Sequence, residues 1–278
     1  MNQKQKTVYV VATPLGHVGD LTQRARDVLA TVDVICAEDT RTCQKLMQLC
    51  GIQSKAQLKS YHQHNERAVC DWLEKGDWET LALVSDAGTP NIHDPGHHLL
   101  SHAWAHGWRL VPVPGPCALT AALSVCDAPT HPFLFVGFLP AKRQDRKNRL
   151  ESLSSEQALL CFYESPHRMQ GFLEDLKDTM GHRRLWLARE LTKKFEQIVR
   201  TDTHEVLNLW RSGEIVSRGE FVVLVSGSEN VEQNQWYDAA KDLTRHLSHQ
   251  DVIAFIQRHY GARKNEIYRF LESLKEQD

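Results

Sequence analysis

The stretch Thr7-Val8-Tyr9-Val10-Val11-Ala12, followed at once by Thr13-Pro14-Leu15-Gly16, is a run of β-branched and apolar side chains stopped by turn residues. A short apolar run bounded in this way reads as a buried strand. Thr22 then supplies a cap for helix-forming residues up to Thr31, and Val32 to Ala37 return to strand character. The result is a β-α-β unit. The rhythm continues with a helix from about Thr40, a strand at Thr80 to Ser85, a helix near Pro95 to His106 and a strand at Arg109 to Val113. Such alternation favours a mostly parallel sheet with helices on both faces, whose ligands bind where loops gather at the carboxyl ends of the strands.

Three loops at those ends are rich in glycine and proline: Thr13 to Asp20, Ser85 to Gly96 and Pro112 to Pro116. Their glycines allow a ligand to approach the backbone closely. A short apolar helix over Cys117 to Cys126 and the turn Asp127 to Pro132 lead into a second α/β unit. Its strands are expected at Phe133 to Gly137, Ala158 to Tyr163, Arg184 to Arg189, Phe195 to Arg200 and Glu220 to Val225, in a mixed sheet. The expected division is therefore an N-terminal α/β domain over 1–118, a second over 119–228, a polar linker over 227–236 and a small helical domain over 237–278. In the last, Gly261 separates two amphipathic segments in the manner of a helix-turn-helix.

The bulk properties narrow the function. The chain has 278 residues, 24% of them charged, with a formal net charge of -2, which argues against a protein that coats nucleic acid through bulk charge. One local basic segment stands out: Lys142, Arg143, Arg146, Lys147 and Arg149, with only Asp145 opposing them nearby in sequence. The polar start and the lack of a long apolar stretch predict a cytoplasmic protein with no membrane association. Seven cysteines without a C-x-x-C pair read as reduced thiols. Neither a G-x-G-x-x-G nor a G-x-x-x-x-G-K-[ST] motif is present, which removes dinucleotide-dependent dehydrogenases and P-loop enzymes. No H-E-x-x-H or other helix-spaced set accompanies His62/His64 or His97/His98, so no metal is expected.

The motifs that remain are Thr13-Pro-Leu-Gly16 with Gly19-Asp20, Ala37-Glu-Asp-Thr-Arg41, Val84-Ser-Asp-Ala-Gly-Thr-Pro90, Asp94-Pro-Gly96 and Val113-Pro-Gly-Pro-Cys-Ala118. In this order they resemble the tetrapyrrole-methylase superfamily. Gly137-Phe-Leu-Pro-Ala-Lys142, Phe162-Tyr-Glu-Ser-Pro-His-Arg168, Ala188-Arg-Glu-Leu-Thr-Lys193 and Gly219-Glu220 resemble the branch that methylates a cytidine ribose in small-subunit (16S) ribosomal RNA. His17, Val18, Asn91 and His93 depart from the usual pattern. The resemblance implies two α/β domains of the tetrapyrrole-methylase type, an active site in the cleft between them, a homodimer, and S-adenosyl-L-methionine as methyl donor. Its donor residues would be Pro14, Leu15, Ser85, Asp86, Ala87, Gly88, Thr89, Ile92, Gly115, Thr120, Phe162, Tyr163 and Glu164.

For the acceptor, two charged clusters end strands in opposite halves, and Asp39, Arg41, Glu190 and Lys193 are the expected catalytic group. A carboxylate there can orient or deprotonate a hydroxyl while the cations hold neighbouring phosphates. Lys142, Arg143, Arg146, Lys147, Arg168 and Lys194 are the expected RNA contacts. Tyr163 and His167 are candidates to stack on a splayed base, against the plainer reading of a core tyrosine and a helix-start histidine. Two rivals stand beside this reading. A methyltransferase acting on a tetrapyrrole shares the donor site but needs a broad apolar acceptor cleft, and a non-enzymatic RNA-binding module leaves the donor loops unexplained.

Overall fold

The structure is a computed structural model that describes residues 5–228 and 233–275. Its first sheet contains β1 (Thr7–Val11), β2 (Val34–Ala37), β3 (Gln57–Ser60), β4 (Thr80–Val84) and β5 (Arg109–Val113), in the spatial order β3-β2-β4-β1-β5. Every pairing in it is parallel. Because successive strand residues face opposite sides, Val34 and Cys36 join one core with Leu73 and Leu99, while Ile35 and Ala37 join another with Leu29 and Met47. The helices α3 (Glu66–Lys75) and α4 (His97–Ala105) cover the first face, and α1 (Gln23–Thr31) and α2 (Thr40–Leu49) the second. Two-sided burial accounts for the near-continuous apolar strands. Thr22 caps α1 by accepting from Ala25 N. The sequence reading missed β3 and α3, since a four-residue edge strand with Gln and Lys carries little apolar signal.

The second sheet holds β6 (Phe133–Gly137), β7 (Leu159–Glu164), β8 (Arg184–Arg189), β9 (Gln197–Asp202) and β10 (Phe221–Val225), in the order β6-β7-β10-β8-β9. Only β6 and β7 run parallel; the other pairings are antiparallel, which makes the sheet mixed. Strand β9 starts two residues later than expected because Phe195, 66% exposed, lies in the turn before it. One face buries Phe162, Leu187 and Val223 beneath α6 (Arg143–Ser152), α7 (Pro166–Met180) and α8 (Val206–Ser212). The opposite face buries Cys161, Trp186 and Val222 against Leu119 and Ala122 of α5 (Ala118–Ser124). Leu15 of the first loop packs on this cluster too, so a donor-loop residue and the connecting helix both rest on the second sheet.

Three helices follow: α9 (Gln233–Leu243), α10 (His249–Tyr260) and α11 (Lys264–Lys275). The expected linker is corrected here. Residues 229–232 of it lie outside the described residues, but α9 begins at Gln233 and Trp236 is buried against a core that includes Ile253 and Ile256. A single tryptophan among polar neighbours does not register as an amphipathic stripe. Gly261 adopts a left-handed conformation (φ 68°) and stops α10, as the turn between the last two helices requires.

Candidate functional site

The three strand-end loops are laced together by their own backbones. Thr13 N donates to Gly88 O (2.8 Å) and Gly88 N to Thr13 O (3.0 Å), while Thr89 Oγ1 donates to Pro116 O (2.9 Å). Gly88 holds φ at 89°, a conformation glycine adopts without strain, and a Cβ on Gly115 would come within 2.9 Å of the Ala12 Cβ. Pro14 and Ser85 are buried in this lacing, with Ser85 Oγ donating to Gly88 O, so they build the loops rather than present side chains to a ligand. Thr120 is exposed and turns back to donate to Cys117 O.

Over these loops lies a cavity of about 430 Å³, bounded by the first unit below and the second sheet above. Of the residues the sequence nominated as donor contacts, Leu15, Asp86, Ala87, Gly88, Thr89, Ile92, Tyr163 and Glu164 line it. Pro14, Ser85, Gly115, Thr120 and Phe162 do not. Phe162 is a correction on geometric grounds: strand alternation turns it to the opposite face of β7, where it packs on Phe172. Tyr163 faces the cavity and is ringed by His93, Phe135 and Phe138.

The cavity is acidic in a way the sequence did not disclose. Glu38, Asp86 and Asp94 all line it, and burial foremost holds each above its ordinary carboxylate range; Asp94 and Asp86 push Glu38 further up, Asp39 does so for Asp86, and Asp86 and Glu220 for Asp94, with backbone hydrogen bonds on Glu38 and Asp86 and the Ser85 hydroxyl on Asp94 opposing. Glu164 is 2% exposed and also raised, mainly by burial. Its Oε1 accepts from Ser165 N at 2.8 Å, whereas Oε2 has no hydrogen-bond partner among the described residues. A buried carboxylate oxygen without a partner, on a residue that lines the cavity, is an unsatisfied acceptor.

The expected catalytic group divides in two. Asp39 caps α2 by accepting from Arg41 N (2.8 Å), and its other oxygen takes the Arg41 guanidinium at 2.7 Å. Hydrogen bonds from the Arg41 side chain and backbone hold the Asp39 carboxyl down at about 2, so it is a weak base. The helix cap explains why Glu38, and not Asp39, faces the cavity. Arg41 itself is 88% exposed in its side chain.

Lys193 and Glu190 sit together in the other half. Lys193 Nζ donates to Glu190 Oε1 (2.9 Å) and to Glu220 Oε2 (3.0 Å), and Lys193 and Glu220 line the cavity. Burial raises the Glu190 carboxyl, but the Glu220 backbone N–H and Lys193 outweigh it and leave the group below its usual value. The Lys193 stem lies so close over Gly16 that any Cβ there would meet its Cγ at 2.2 Å. Gly219 plays the same part for Glu190, at 2.4 Å. Gly16 thus lets a side chain of the second unit clasp the first donor loop.

The basic segment is corrected. Arg146 is buried and gives Asp175 a 2.7 Å ion pair, Arg143 binds the other oxygen of the same carboxylate at 3.0 Å, and Lys147 binds Asp178 at 2.9 Å. Acids of α7, far along the chain, neutralise what looked unopposed. Arg168 is likewise occupied: it pairs with Glu164 at 3.3 Å and donates to Leu139 O at 2.5 Å. Lys142 and Lys194 remain exposed, Lys194 standing 5.5 Å over the Phe195 ring. His167 is exposed on α7 and does not line the cavity.

A parallel sheet with laced strand-end loops, joined to a mixed sheet across an acidic cleft, defines the class. The model of the tetrapyrrole (corrin/porphyrin) methylases matches residues 7–207, and the chain belongs to that family. Solved structures agree on the fold: a cobalt precorrin-4 methyltransferase (TM-score 0.56, 16% identity, 79% of this chain and 94% of that one) and uroporphyrin-III C-methyltransferase from Thermus thermophilus complexed with S-adenyl homocysteine (0.55, 16%, 79% and 97%). Within the class, the chain is 41% identical to ribosomal RNA small subunit methyltransferase I of Vibrio cholerae, over 97% of this chain and 96% of that one. It is 42% identical to the protein of the same name from Pseudomonas aeruginosa (95% and 95%) and 39% identical to that of Bacillus subtilis (86% and 83%). It belongs with these ribosomal RNA small subunit methyltransferases I. No described helix is long and apolar enough to cross a membrane.

Proposed function

We propose that the chain transfers a methyl group from S-adenosyl-L-methionine to the ribose 2'-hydroxyl of a cytidine in 16S ribosomal RNA, acting on the small subunit, in the cytoplasm, as a homodimer. The observation that carries this reading is the acidic cavity on the strand-end loops. Bound there, the donor supplies a methyl group already activated by a sulfonium cation. The chain's own groups do the rest by binding and alignment. Leu15, Ala87, Ile92 and the backbone of Gly88 and Thr89 would form the cradle, and the unpartnered Glu164 carboxylate oxygen would be available to an amino or hydroxyl group of the donor. Glu38, Asp86 and Asp94 attract a cation and lose that attraction once the donor has given up its methyl and its charge, which favours product release.

Deprotonation of the ribose hydroxyl falls to the carboxylates raised by burial, because Asp39 and Glu190 are both held low and Lys193 is held charged between two carboxylates. Arg41, Lys142, Lys194 and the exposed Arg258, Arg263, Lys264 and Arg269 of the helical unit carry the phosphate contacts. Phe138, 42% exposed beside Tyr163 and His93, offers a face on which an unpaired base can stack. A tetrapyrrole acceptor fits less well, since Lys193 and Glu220 charge the wall such a macrocycle would meet. Small subunits lacking the mark, incubated with labelled donor, should take up one methyl on a single cytidine ribose by mass mapping. Label on a base, or on no nucleotide at all, would overturn the assignment.

The acidic lining also makes a stability prediction. A carboxylate whose folded pKa is raised destabilises the fold at neutral pH, and the penalty is relieved as pH falls through that raised value. Asp94→Asn should therefore raise the Tm of the free protein at neutral pH, with the gain shrinking as pH falls. The same change should weaken donor binding about tenfold by removing one attractive charge. Calorimetry in which donor affinity and Tm move in the same direction would separate Asp94 from the donor field.

A further inference from the structure

A second set of ligating side chains, with a helix spacing that overturns the expectation of no such histidine set and no metal, lies on the first unit, away from the cleft, where α4 ends against the end of α3. His102 and His106 stand four residues apart and on one side of α4, with their rings stacked at 4.0 Å, and Glu74 of α3 faces them. One nitrogen or oxygen from each of the three lies within 4.8 Å of the others. We propose that Glu74, His102 and His106 form a site for a borderline divalent transition metal of the Zn²⁺ class, with water completing the coordination.

Ring orientation carries the argument. His106 Nδ1 is 2.8 Å from the His102 carbonyl oxygen, which can only accept, so Nδ1 holds the proton and Nε2 is left to point at Glu74 Oε1, 3.6 Å away. A histidine whose second nitrogen is pinned to a backbone carbonyl is oriented as metal-ligating histidines generally are, and here its other nitrogen faces a carboxylate. His102 adds an independent observation: its Nε2 is buried and has no hydrogen-bond partner among the described residues. Trp108 packs edge-on against His102 at 5.2 Å and fixes that ring.

The donor set of two imidazoles and one carboxylate suits Zn²⁺ better than a hard cation. Ligands on one zinc ion stand roughly 3.4 Å apart given bond lengths of about 2.1 Å. The side chains of Glu74 and His106, 51% and 37% exposed, are free enough to close the remaining gap. An ion there would tie the end of α3 to the end of α4, one helix length from the Asp94-Pro95-Gly96 loop, and so brace the first unit rather than enter the methyl transfer.

The test uses the full chain after treatment with a chelator, and Co²⁺ and Zn²⁺ as probes. One equivalent of Co²⁺ should bind with visible d–d bands and without the near-ultraviolet band of a thiolate ligand, and Zn²⁺ should displace it and raise Tm. His106→Gln and Glu74→Gln, both at exposed side chains, should each weaken binding at least tenfold and abolish the rise in Tm while leaving donor affinity unchanged. Undiminished binding in both variants, a thiolate band, or no binding at all would overturn the proposal.

Discussion

Lys193→Met should lower the single-turnover rate of methyl transfer by about a hundredfold while donor affinity changes by less than threefold. The residue is a bolt between the halves. Its stem crosses Gly16 of the first donor loop and its ammonium joins Glu190 to Glu220 on the far wall. With methionine the stem remains but the two carboxylates lose their shared partner and repel each other, so the acceptor wall shifts relative to the donor loop. A displacement of about 1 Å between reacting groups costs on the order of 10²-fold in rate. The Glu220 contact should contribute little to folding, since Glu220 is 81% exposed and such pairs are worth about 1 kcal/mol or less. The depressed Glu190 contributes stability above its unfolded pKa that is lost as pH falls through the lower folded value. The raised Lys193 contributes below its unfolded pKa and loses that contribution as pH rises through the higher one. The bridge therefore stands throughout the neutral range, and the defect should not be rescued by moving pH between 6 and 8. If donor affinity falls in parallel with the rate, the lysine belongs to the donor site and not to alignment.

Ala87→Trp should weaken donor binding by at least a hundredfold, about 2.7 kcal/mol or more, without unfolding the chain. Ala87 lines the cavity from a loop and is half-buried, so the indole has solvent-side room for its backbone but projects its bulk into a space of about 430 Å³. Nothing in the loop lacing depends on the Ala87 side chain: the hydrogen bonds run through Thr13, Ser85, Gly88 and Thr89. Gly115 is the less informative position for this test. A side chain there first meets Ala12, so the outcome would mix a folding defect with a binding one. Isothermal calorimetry with the donor, alongside a thermal melt, checks the prediction, and unchanged affinity in a well-folded variant would move the donor away from this cavity.

The strands and the loops that end them were legible because their signals are local. Apolar runs such as Thr7 to Val11 and Arg109 to Val113, bounded by Pro and Gly, mark their own limits whatever surrounds them. Segments of the cradle, including Leu15 and Ala87 to Thr89, could be named on the same basis together with the family resemblance. The resemblance, more than any local pattern, also identified the methyl donor. What failed was whatever depended on direction or on a distant partner. Period-two alternation says that Phe162 and Tyr163 face opposite ways, yet which of them meets the cleft is decided by the sheet that β7 joins and by α5 packing beneath it. Glu38 replaced Asp39 at the cavity because a helix cap claimed the aspartate. Arg146 looked like a phosphate contact until α7 set Asp175 against it, 29 residues along the chain. Sequence alone determined where each element lies and which loops can hold a ligand, since turn chemistry and apolar patterning act over a few residues. The tertiary structure decided which charges are free, because a charge is neutralised by whatever lies within a few ångströms of it in space, and chain order does not encode that distance.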